Sequence, residues 1–245
     1  MTDIRLGIDI GGSGMKAGLV DIATGSLVSE REKVLTPQPA NPTLMRAAFE
    51  DLVSRFSYEG PVGVGFPAVV RDGIAYTANN IDASWIGQST IEVFGPVSPG
   101  ELTVLNDADA AAVAEERVGS ARGVPGLVAV ITFGTGIGSG LLFDGKLIEN
   151  AELGSMELDG YVPAELFFSA KARKNEGLSW QEWGQRANRF LSYVVAILSP
   201  RLIVVGGGVA KHWDDFSAEL EVAPPVVPAA ILNNAGIVGA AVSAT

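Results

Sequence analysis

The residue types best suited to chemistry in this sequence are an aspartate at a predicted helix start and glycines that follow apolar strands. Asp107 follows the predicted strand 101–105 and opens a stretch rich in alanine and glutamate, which predicts a helix. A carboxylate fixed at such a place can accept a proton from a bound hydroxyl group. The same position also suits an ordinary helix cap, formed by Asp107 or by Asn106.

A glycine-rich turn follows the strand predicted near the N-terminus, where apolar and other residues alternate over residues 4–10. Glycine lets the backbone turn sharply and approach a bound group, and free N–H groups in such a turn can cradle a phosphate. Asp9 at the strand end can hold Mg²⁺ through water, and Lys16 adds a cation. An ordinary glycine-rich hairpin would carry the same residues. The candidate phosphate-binding residues of the turn are Gly11, Gly12, Ser13 and Gly14.

Two further glycine turns make phosphate binding the better interpretation. The apolar segment 127–131 leads to a turn with Thr135 and Gly136, about half of the chain after the first turn. Glycine is abundant, with 30 of 245 residues, but these glycines directly follow apolar runs. The pattern predicts two related halves that hold one polyphosphate-like ligand. The third turn, after the apolar run 202–205, consists of Gly206, Gly207 and Gly208.

The composition excludes several classes of protein. With 47% hydrophobic and 18% charged residues the chain can bury a core, and no apolar run is long enough for a membrane span. There is no cysteine, which excludes thiolate metal sites, and the single histidine, His212, excludes a metal site built on two histidines. The net charge of −11 argues against general nucleic-acid binding. We expect an acidic cytoplasmic enzyme without a signal peptide, in which His212 lies at the surface.

Local patterns predict the elements that position these residues. Asn41 caps a helix whose buried stripe includes Leu44. A capping box begins a long helix after Ser179. Residues 235–244 form a helix of small residues that can pack tightly on a sheet. Glu115, on the helix that carries the candidate base, is expected to be solvated.

Together these features fit phosphoryl transfer to a sugar hydroxyl. The donor phosphates would lie on the glycine turns, with Mg²⁺ neutralising their charge. Asp107 would accept the hydroxyl proton as the phosphoryl group arrives, while Asn106 and nearby glutamates position the sugar. Neither a Walker loop nor the protein-kinase motif set is present.

As a set, five segments resemble the ROK family of sugar kinases, and within it the actinobacterial polyphosphate glucokinases, some of which also accept ATP or mannose. The resemblance covers essentially the whole chain. The segments are Asp9-Ile10-Gly11-Gly12-Ser13-Gly14-Met15-Lys16, Leu105-Asn106-Asp107-Ala108-Asp109-Ala110-Ala111, Thr132-Phe133-Gly134-Thr135-Gly136-Ile137-Gly138, Glu152-Leu153-Gly154 and Val205-Gly206-Gly207-Gly208.

The resemblance implies an α/β fold of two lobes, of the actin-like or ribonuclease-H-like ATPase class, with the active site in the cleft between the lobes. We expect residues 1–106 to form the N-terminal lobe and residues 107–245 the C-terminal lobe, with the final helix able to pack back across them. The resemblance implies transfer of a phosphoryl group from polyphosphate, ATP or both to the 6-hydroxyl of glucose or mannose, with Mg²⁺ as cofactor. It also implies a homodimer. From the net charge and the lack of a long apolar run, we expect that the protein binds neither nucleic acid nor a membrane.

The resemblance assigns roles to individual residues as well. Asp107 is implied as the general base, and Asp9 as a residue near the metal and the phosphates. The third glycine turn is implied to lie near the nucleotide or the end of a polyphosphate chain. Sugar contacts are implied from Asn80, Asn106, Glu152 and Glu165.

Two features depart from the family pattern. Ser155 stands where the pattern Glu-x-Gly-His has a histidine that contacts the sugar. We therefore expect this protein to bind glucose more weakly than relatives that have the histidine. The segment before Glu165 is one residue longer than usual. A second interpretation is therefore a catalytically weakened sugar-binding sensor of the same fold. No helix-turn-helix precedes the first strand, which favours the kinase.

Overall fold

The computed structural model describes residues 3–245. The strands are β1 (Ile4–Ile10), β2 (Gly14–Asp21), β3 (Ser26–Leu27), β4 (Glu32–Leu35), β5 (Val62–Phe66), β6 (Val70–Arg71), β7 (Ile74–Ala75), β8 (Leu102–Asn106), β9 (Leu127–Phe133), β10 (Ile137–Phe143), β11 (Lys146–Ile148), β12 (Leu202–Gly207) and β13 (Val226–Pro228). The α-helices are α1 (Pro42–Val53), α2 (Thr90–Phe94), α3 (Asp107–Val118), α4 (Glu165–Phe168), α5 (Ala170–Glu176), α6 (Trp180–Leu198), α7 (Trp213–Phe216) and α8 (Ala235–Ser243). None of the helices in residues 3–245 combines the length and apolar character needed to cross a bilayer.

The described chain divides into two compact units. The first unit runs to Arg117 and also includes Asn234–Thr245, while the second comprises Val118–Asn233. Helix α3, apart from its last residue, and helix α8 therefore both belong to the first unit. The division expected from the sequence lies between residues 106 and 107, which is the junction of β8 and α3 and lies within the first unit.

The first unit is built on a mixed sheet with the strand order β3-β2-β1-β5-β8, and β4 also pairs with β2. Strands β1 and β2 form an antiparallel hairpin, while β1, β5 and β8 are parallel. Parallel strands end at the same edge of a sheet, which is where open α/β sheets bind their ligands. The first glycine turn, after β1, and the start of α3, after β8, therefore share this edge.

The second unit repeats this plan in the order β11-β10-β9-β12-β13. Strands β9 and β10 form an antiparallel hairpin around the second glycine turn, and β9, β12 and β13 are parallel. The second and third glycine turns therefore follow two neighbouring parallel strands. This repetition agrees with the two related halves that the glycine spacing predicts.

Hydrogen bonds encoded in the local sequence fix two helix starts. The side chain of Asn41 accepts a hydrogen bond from the N–H of Leu44 at 2.9 Å at the start of α1. At the start of α6, Ser179 and Glu182 form both hydrogen bonds of a capping box. Each arrangement satisfies N–H groups that the first helical turn leaves without a partner. Both predicted helix starts are confirmed.

Two expectations about side-chain burial are wrong. Leu44 is 41% exposed, because α1 buries the face that carries Met45, Phe49 and Leu52. Glu115 was expected to be solvated but has no exposed surface. Helix α3 is enclosed on most of its circumference, since its buried alanines include Ala108, Ala110, Ala111, Ala112 and Ala114.

Helix α8 lies directly on the sheet of the first unit. A Cβ atom added at Gly63 in β5 would overlap the carbonyl oxygen of Ala240, and one added at Gly239 would overlap that of Ala110 in α3. Backbones can approach this closely only where a residue has no side chain. The predicted tight packing of a C-terminal helix on a sheet is confirmed.

Gly63→Ala should lower the free energy of unfolding by about 1–3 kcal/mol, the common range for overpacking a core. The added methyl group would force α8 away from β5. Denaturant unfolding followed by circular dichroism measures the change. Gly95→Ala is the matched control, because a Cβ atom there meets only a side-chain atom of Ile91, at 3.9 Å. Equal stability of Gly63→Ala and the parent would contradict the contact.

Candidate active site

Side chains that follow β4 brace the first glycine turn. The N–H of Gly11 donates to the carbonyl oxygen of Gly14 at 3.0 Å, which closes the turn. The hydroxyl of Thr36 donates to the carbonyl of Gly11 at 2.6 Å, and the amide of Gln38 donates to the carbonyl of Gly12 at 3.5 Å. These hydrogen bonds connect two carbonyl groups of the turn to the segment after β4.

Asp9 and Lys16 contact each other across the hairpin that carries this turn. They are directly paired in the register of β1 and β2, and Lys16 Nζ lies 2.9 Å from Asp9 Oδ2. The carboxylate also lies against the start of α8, where a Cβ atom added at Gly236 would stand 2.8 Å from Asp9 Oδ1. The charge of Lys16 is therefore shared with Asp9 rather than reserved for a phosphate.

Asp107 lies close to Asp9 on the same face of the sheet. Asp9 pairs with Gly65 in the parallel register of β1 and β5, and a Cβ atom added at Gly65 would stand 3.5 Å from the Cα atom of Asp107. Directly paired residues point to the same face of a sheet. Asp107 Oδ1 accepts a hydrogen bond from the N–H of Ala108 at 2.9 Å, which orients the carboxylate. The start of α3 therefore packs on the sheet at Gly65, next to the strand position of Asp9.

Asn106 forms the cap of α3, so the ordinary interpretation of this residue is correct. Its Oδ1 accepts hydrogen bonds from the N–H groups of Ala108 at 2.8 Å and Asp109 at 3.2 Å. Its Nδ2 donates to the carbonyl of Ala68 at 3.0 Å. Asn106 is 6% exposed, so these contacts fix its side chain between α3 and the segment after β5.

Asn80 adjoins the first glycine turn. A Cβ atom added at Gly12 would stand 3.2 Å from the backbone carbonyl oxygen of Asn80 and 3.7 Å from its Cβ atom. Asn80 is exposed and follows the β6–β7 hairpin. The first unit thus brings the predicted residues of its glycine turn together with Asn80, and it places Asp107 at the same edge of the sheet.

In the second unit, Glu165 at the start of α4 holds the second glycine turn. The N–H of Gly134 donates to the carbonyl of Gly136 at 2.9 Å, and the N–H of Ile137 donates to Glu165 Oε2 at 3.0 Å. A side chain at position 136 would overlap the Glu165 carboxylate. Thr135 lies exposed at the tip of this turn. The structure therefore joins two predicted features, the turn and the glutamate, in one local site.

Glu152 lies beside Glu165 and belongs to the same group. Burial raises the pKa of the Glu152 carboxyl, a hydrogen bond from Ser155 opposes this rise, and the negative charge of Glu165 adds to it. The hydroxyl of Ser155 is 3.4 Å from Glu152 Oε2 and is exposed. The backbone turn that carries both residues packs against Ile137, because a Cβ atom at Gly154 would overlap its carbonyl oxygen.

Ser139 is a positioning residue that sequence reasoning missed. Its hydroxyl donates to the carbonyl of Ala151 at 2.6 Å and accepts from the N–H of Leu153 at 2.9 Å, so it holds the backbone on both sides of Glu152. Ser139 is only 1% exposed. Its place in a glycine-rich strand gave no sign of this role, because both partners lie beyond the following strand.

The third glycine turn lies next to the second. Gly206 and Gly207 pair with Thr132 and Phe133 in the parallel register of β12 and β9. Gly207 has a φ of 79°, and a Cβ atom there would overlap the backbone of Phe133, so both conformation and contact require glycine. A Cβ atom at Gly208 would meet nothing within 4 Å, which leaves this backbone open to a ligand.

Asp9 is the residue whose surroundings fit a magnesium ion. No group of three or more histidine, aspartate or glutamate side chains within residues 3–245 is arranged for a metal. Mg²⁺ commonly uses one or two protein carboxylates and completes its shell with water and substrate phosphates. A single, partly buried carboxylate beside a glycine turn suits this mode of binding.

His212 lies at the surface, as predicted. Its ring stacks on Trp180 with the centroids 4.4 Å apart, and its Nδ1 atom is 3.1 Å from Asp215 Oδ2. These contacts give His212 a structural role outside the sites described above.

Comparison with known proteins finds relatives over nearly the whole chain. The model of the ROK family matches residues 5–159. The polyphosphate glucokinase of Mycobacterium tuberculosis (strain CDC 1551 / Oshkosh) is 44% identical over 238 residues, which cover 97% of this chain and 89% of that protein. The inorganic polyphosphate/ATP-glucomannokinase from Arthrobacter sp. strain KM has a TM-score of 0.93 and 45% identity, with 98% of this chain and 97% of that chain covered. A ROK family glucokinase from Streptomyces griseus, in complex with glucose and AMPPNP, has a TM-score of 0.82 and 25% identity over 99% of each chain.

The chain therefore belongs to the ROK family. The predicted fold class is confirmed, because these structural neighbours are sugar kinases with the actin-like fold of two lobes.

The raised pKa of Glu152 predicts a pH dependence of stability. The folded protein binds a proton at Glu152 more tightly than the unfolded chain does. The corresponding stability is present below the unfolded pKa of about 4.3 and is lost as the pH rises through the higher folded pKa. Because Glu152→Gln cannot ionise, its stability relative to the parent should increase from pH 4 to pH 7.

Denaturant unfolding of both proteins at the two pH values measures this change. Glu157→Gln, which alters an exposed glutamate of the same segment, is the matched control. A stability difference between Glu152→Gln and the parent that stays constant with pH would contradict the burial argument.

Proposed function

We propose that the protein is a kinase that transfers a phosphoryl group from polyphosphate, ATP or both to the 6-hydroxyl of glucose or mannose. The observation that carries the proposal is the position of Asp107, at the sheet edge that it shares with Asp9 and the first glycine turn. The names of the relatives in Mycobacterium tuberculosis and Arthrobacter support the glucose and mannose specificity and both donors.

Asp107 would act as the general base. The 6-hydroxyl oxygen attacks the terminal phosphorus, the bond from that phosphorus to the leaving phosphate oxygen breaks, and the hydroxyl proton passes to the Asp107 carboxylate. The hydrogen bond from Ala108 keeps the carboxylate at the start of α3. Most of the catalysis of phosphoryl transfer comes from positioning and charge, so one fixed base suffices.

The proposed sugar ligands differ in how much hydrogen-bonding capacity the structure leaves them. Carboxylates accept hydrogen bonds from sugar hydroxyls, and Glu152 and Glu165 provide two of them in the second unit. Asn106 can offer only its amide nitrogen, since its oxygen caps α3. Asn80 is exposed and can use its whole amide, while Ser155 offers a short hydroxyl.

The proposed donor ligands are backbone groups of the three glycine turns. In the first unit these are Gly11, Gly12, Ser13 and Gly14, with Lys16 and Asp9 beside them. Asp9 would hold Mg²⁺ through water, and the ion would neutralise phosphate charge when bound. In the second unit the proposed donor ligands are Thr135, Gly136, Gly206, Gly207 and Gly208.

The second candidate function is a sugar-binding sensor of weakened activity. Ser155 supports it, because a family histidine is replaced at a proposed sugar contact. The retained carboxylates at positions 107, 152 and 165 favour the kinase. A homodimer and a cytoplasmic location stay predictions, and light scattering of the purified protein tests the first of them.

A kinase assay with a panel of hexoses tests the proposed function. Each sugar is supplied with ATP or with polyphosphate of defined length, and the sugar phosphate formed is measured. We expect glucose 6-phosphate with at least one donor. Glucose binding without any sugar phosphate would instead support the sensor, and neither binding nor turnover would overturn both functions.

Asp107→Asn should lower kcat about 10²-fold or more, because the amide cannot accept the proton. The KM for glucose should change much less, since asparagine has the same shape. Steady-state kinetics measures both constants. Glu116→Gln, on the same helix, is the control for a lost carboxylate. A variant with nearly parental kcat would exclude Asp107 as the base.

Ser155→His should lower the KM for glucose, with a smaller effect on the donor. The direct contact absent in the parent is worth about 1–3 kcal/mol, and Ser155 is exposed, so an imidazole has room. Ser155→Ala is the control, because it removes the hydroxyl without adding a ring. A higher KM in Ser155→His, or low-micromolar glucose binding by the parent, would show that this turn is rebuilt around serine.

A further inference from the structure

Lys33 on β4 extends a row of side chains that crosses the first sheet. Lys33 pairs directly with Lys16 in the register of β2 and β4, and Lys16 pairs with Asp9. Asp9 in turn pairs with Gly65, beside Asp107. Paired residues share a face of the sheet, so the row places Lys33, Lys16 and Asp9 on one face, and the backbone of Asp107 lies at its end, beside Gly65.

The two lysines of this row differ in their partners. Lys16 Nζ forms an ion pair with Asp9 at 2.9 Å. Lys33 forms no ion pair among residues 3–245 and is exposed. Its sequence neighbour Glu32 pairs with Arg55 at 3.1 Å and leaves Lys33 uncompensated. Lys33 is therefore a positive charge without an ion-pair partner among residues 3–245, in a chain whose net charge is −11.

The side chain of Lys33 lies over the first glycine turn. A Cβ atom added at Gly14 would stand 2.8 Å from Lys33 Cε and 3.6 Å from its Nζ. Gly14 is buried, so the lysine stem fills the space that a side chain at position 14 would need. The end of the Lys33 side chain thus lies beside the turn, and its ammonium group stays accessible to a ligand.

A lysine on a short edge strand commonly serves only to discourage pairing with another chain. Such a lysine has no reason to lie across a glycine turn. Here the same segment also supplies Thr36 and Gln38, which hydrogen-bond to two carbonyls of that turn. The contacts from residues 33, 36 and 38 converge on one feature, which indicates a built site.

We propose that Lys33 binds the phosphates of the donor at the first glycine turn. This inference rests on the proposed kinase function and deepens it. Lysine binds phosphate as a compact point charge, and the donor chain would run along the row from Lys33 toward Asp107. Strands lie about 4.8 Å apart, so Lys33 would contact a phosphate distant from the one transferred.

Binding of inorganic tripolyphosphate, measured by calorimetry with Lys33→Gln and Lys33→Arg, tests this inference directly. We expect Lys33→Gln to raise the dissociation constant about tenfold and Lys33→Arg to keep it near the parental value. The KM for the donor should rise in parallel, while the KM for glucose and kcat at saturating donor change little. Lys146→Gln, which alters an exposed lysine in the β10–β11 hairpin, is the matched control.

A second variant, Gly14→Ala, changes the position of the Lys33 ammonium group without changing Lys33 itself. Gly14→Ala should displace the end of the Lys33 side chain, and it too should raise the dissociation constant. If it acts through Lys33, the double variant Lys33→Gln and Gly14→Ala will bind tripolyphosphate no more weakly than Lys33→Gln alone. Additive losses would mean that Gly14→Ala disturbs the turn itself, and the link to Lys33 would be lost.

The outcomes separate this inference from the proposed function. Unchanged tripolyphosphate binding and donor KM in Lys33→Gln, with an active parent, overturn the role of Lys33 and leave the kinase intact. A parent that phosphorylates no hexose overturns the kinase. Loss of glucose affinity together with donor affinity in Lys33→Gln would indicate a structural role and would also overturn the inference.

Discussion

Close approach of backbones through glycine is the constraint on which the rest of this structure depends. Helix α8 packs on the first sheet because Gly63 leaves room for the carbonyl of Ala240, and it packs on α3 because Gly239 leaves room for the carbonyl of Ala110. The same approach brings the start of α8 against Asp9, at Gly236. In the second unit, the carboxylate of Glu165 occupies the space of a side chain at Gly136. The packing and the proposed sites therefore share one physical cause.

The electrostatic arrangement reconciles an acidic protein with a polyanionic donor. The chain carries a net charge of −11, so its overall field does not attract phosphate. Under the proposed function, attraction comes from local groups, namely the backbone N–H groups of the glycine turns and Lys33 on β4, because Lys16 is paired with Asp9. The paired carboxylates Glu152 and Glu165 lie at the second turn, where burial raises the pKa of Glu152. The hydroxyl groups of a sugar can donate hydrogen bonds to such carboxylates.

What the sequence predicts well is local. The cap at Asn41, the capping box at Ser179 and the glycine turns rest on hydrogen bonds between residues a few positions apart, so their patterns are visible in the chain. The family motifs added the fold class and the candidate residues. Glu152, Glu165 and the second turn then proved to lie together.

What the sequence did not predict depends on contacts between distant segments. Ser139 holds residues on both sides of Glu152, Lys33 lies over Gly14, and Glu115 is buried within an enclosed helix. None of these residues belongs to a local pattern, because strand pairing and helix packing determine their neighbours. Helix α1 is a further example, because the helical pattern predicted that Leu44 is buried, whereas the structure buries the neighbouring face of the helix.

The most direct test of the central claim is a crystal structure of the Asp107→Asn variant with glucose and tripolyphosphate. The proposed mechanism predicts the sugar 6-hydroxyl within about 2.6–3.2 Å of the side chain at position 107, the distance that proton transfer requires. It also predicts phosphate oxygens at the first glycine turn. A sugar bound with its 6-hydroxyl away from residue 107, or phosphates bound away from every glycine turn, would contradict the account.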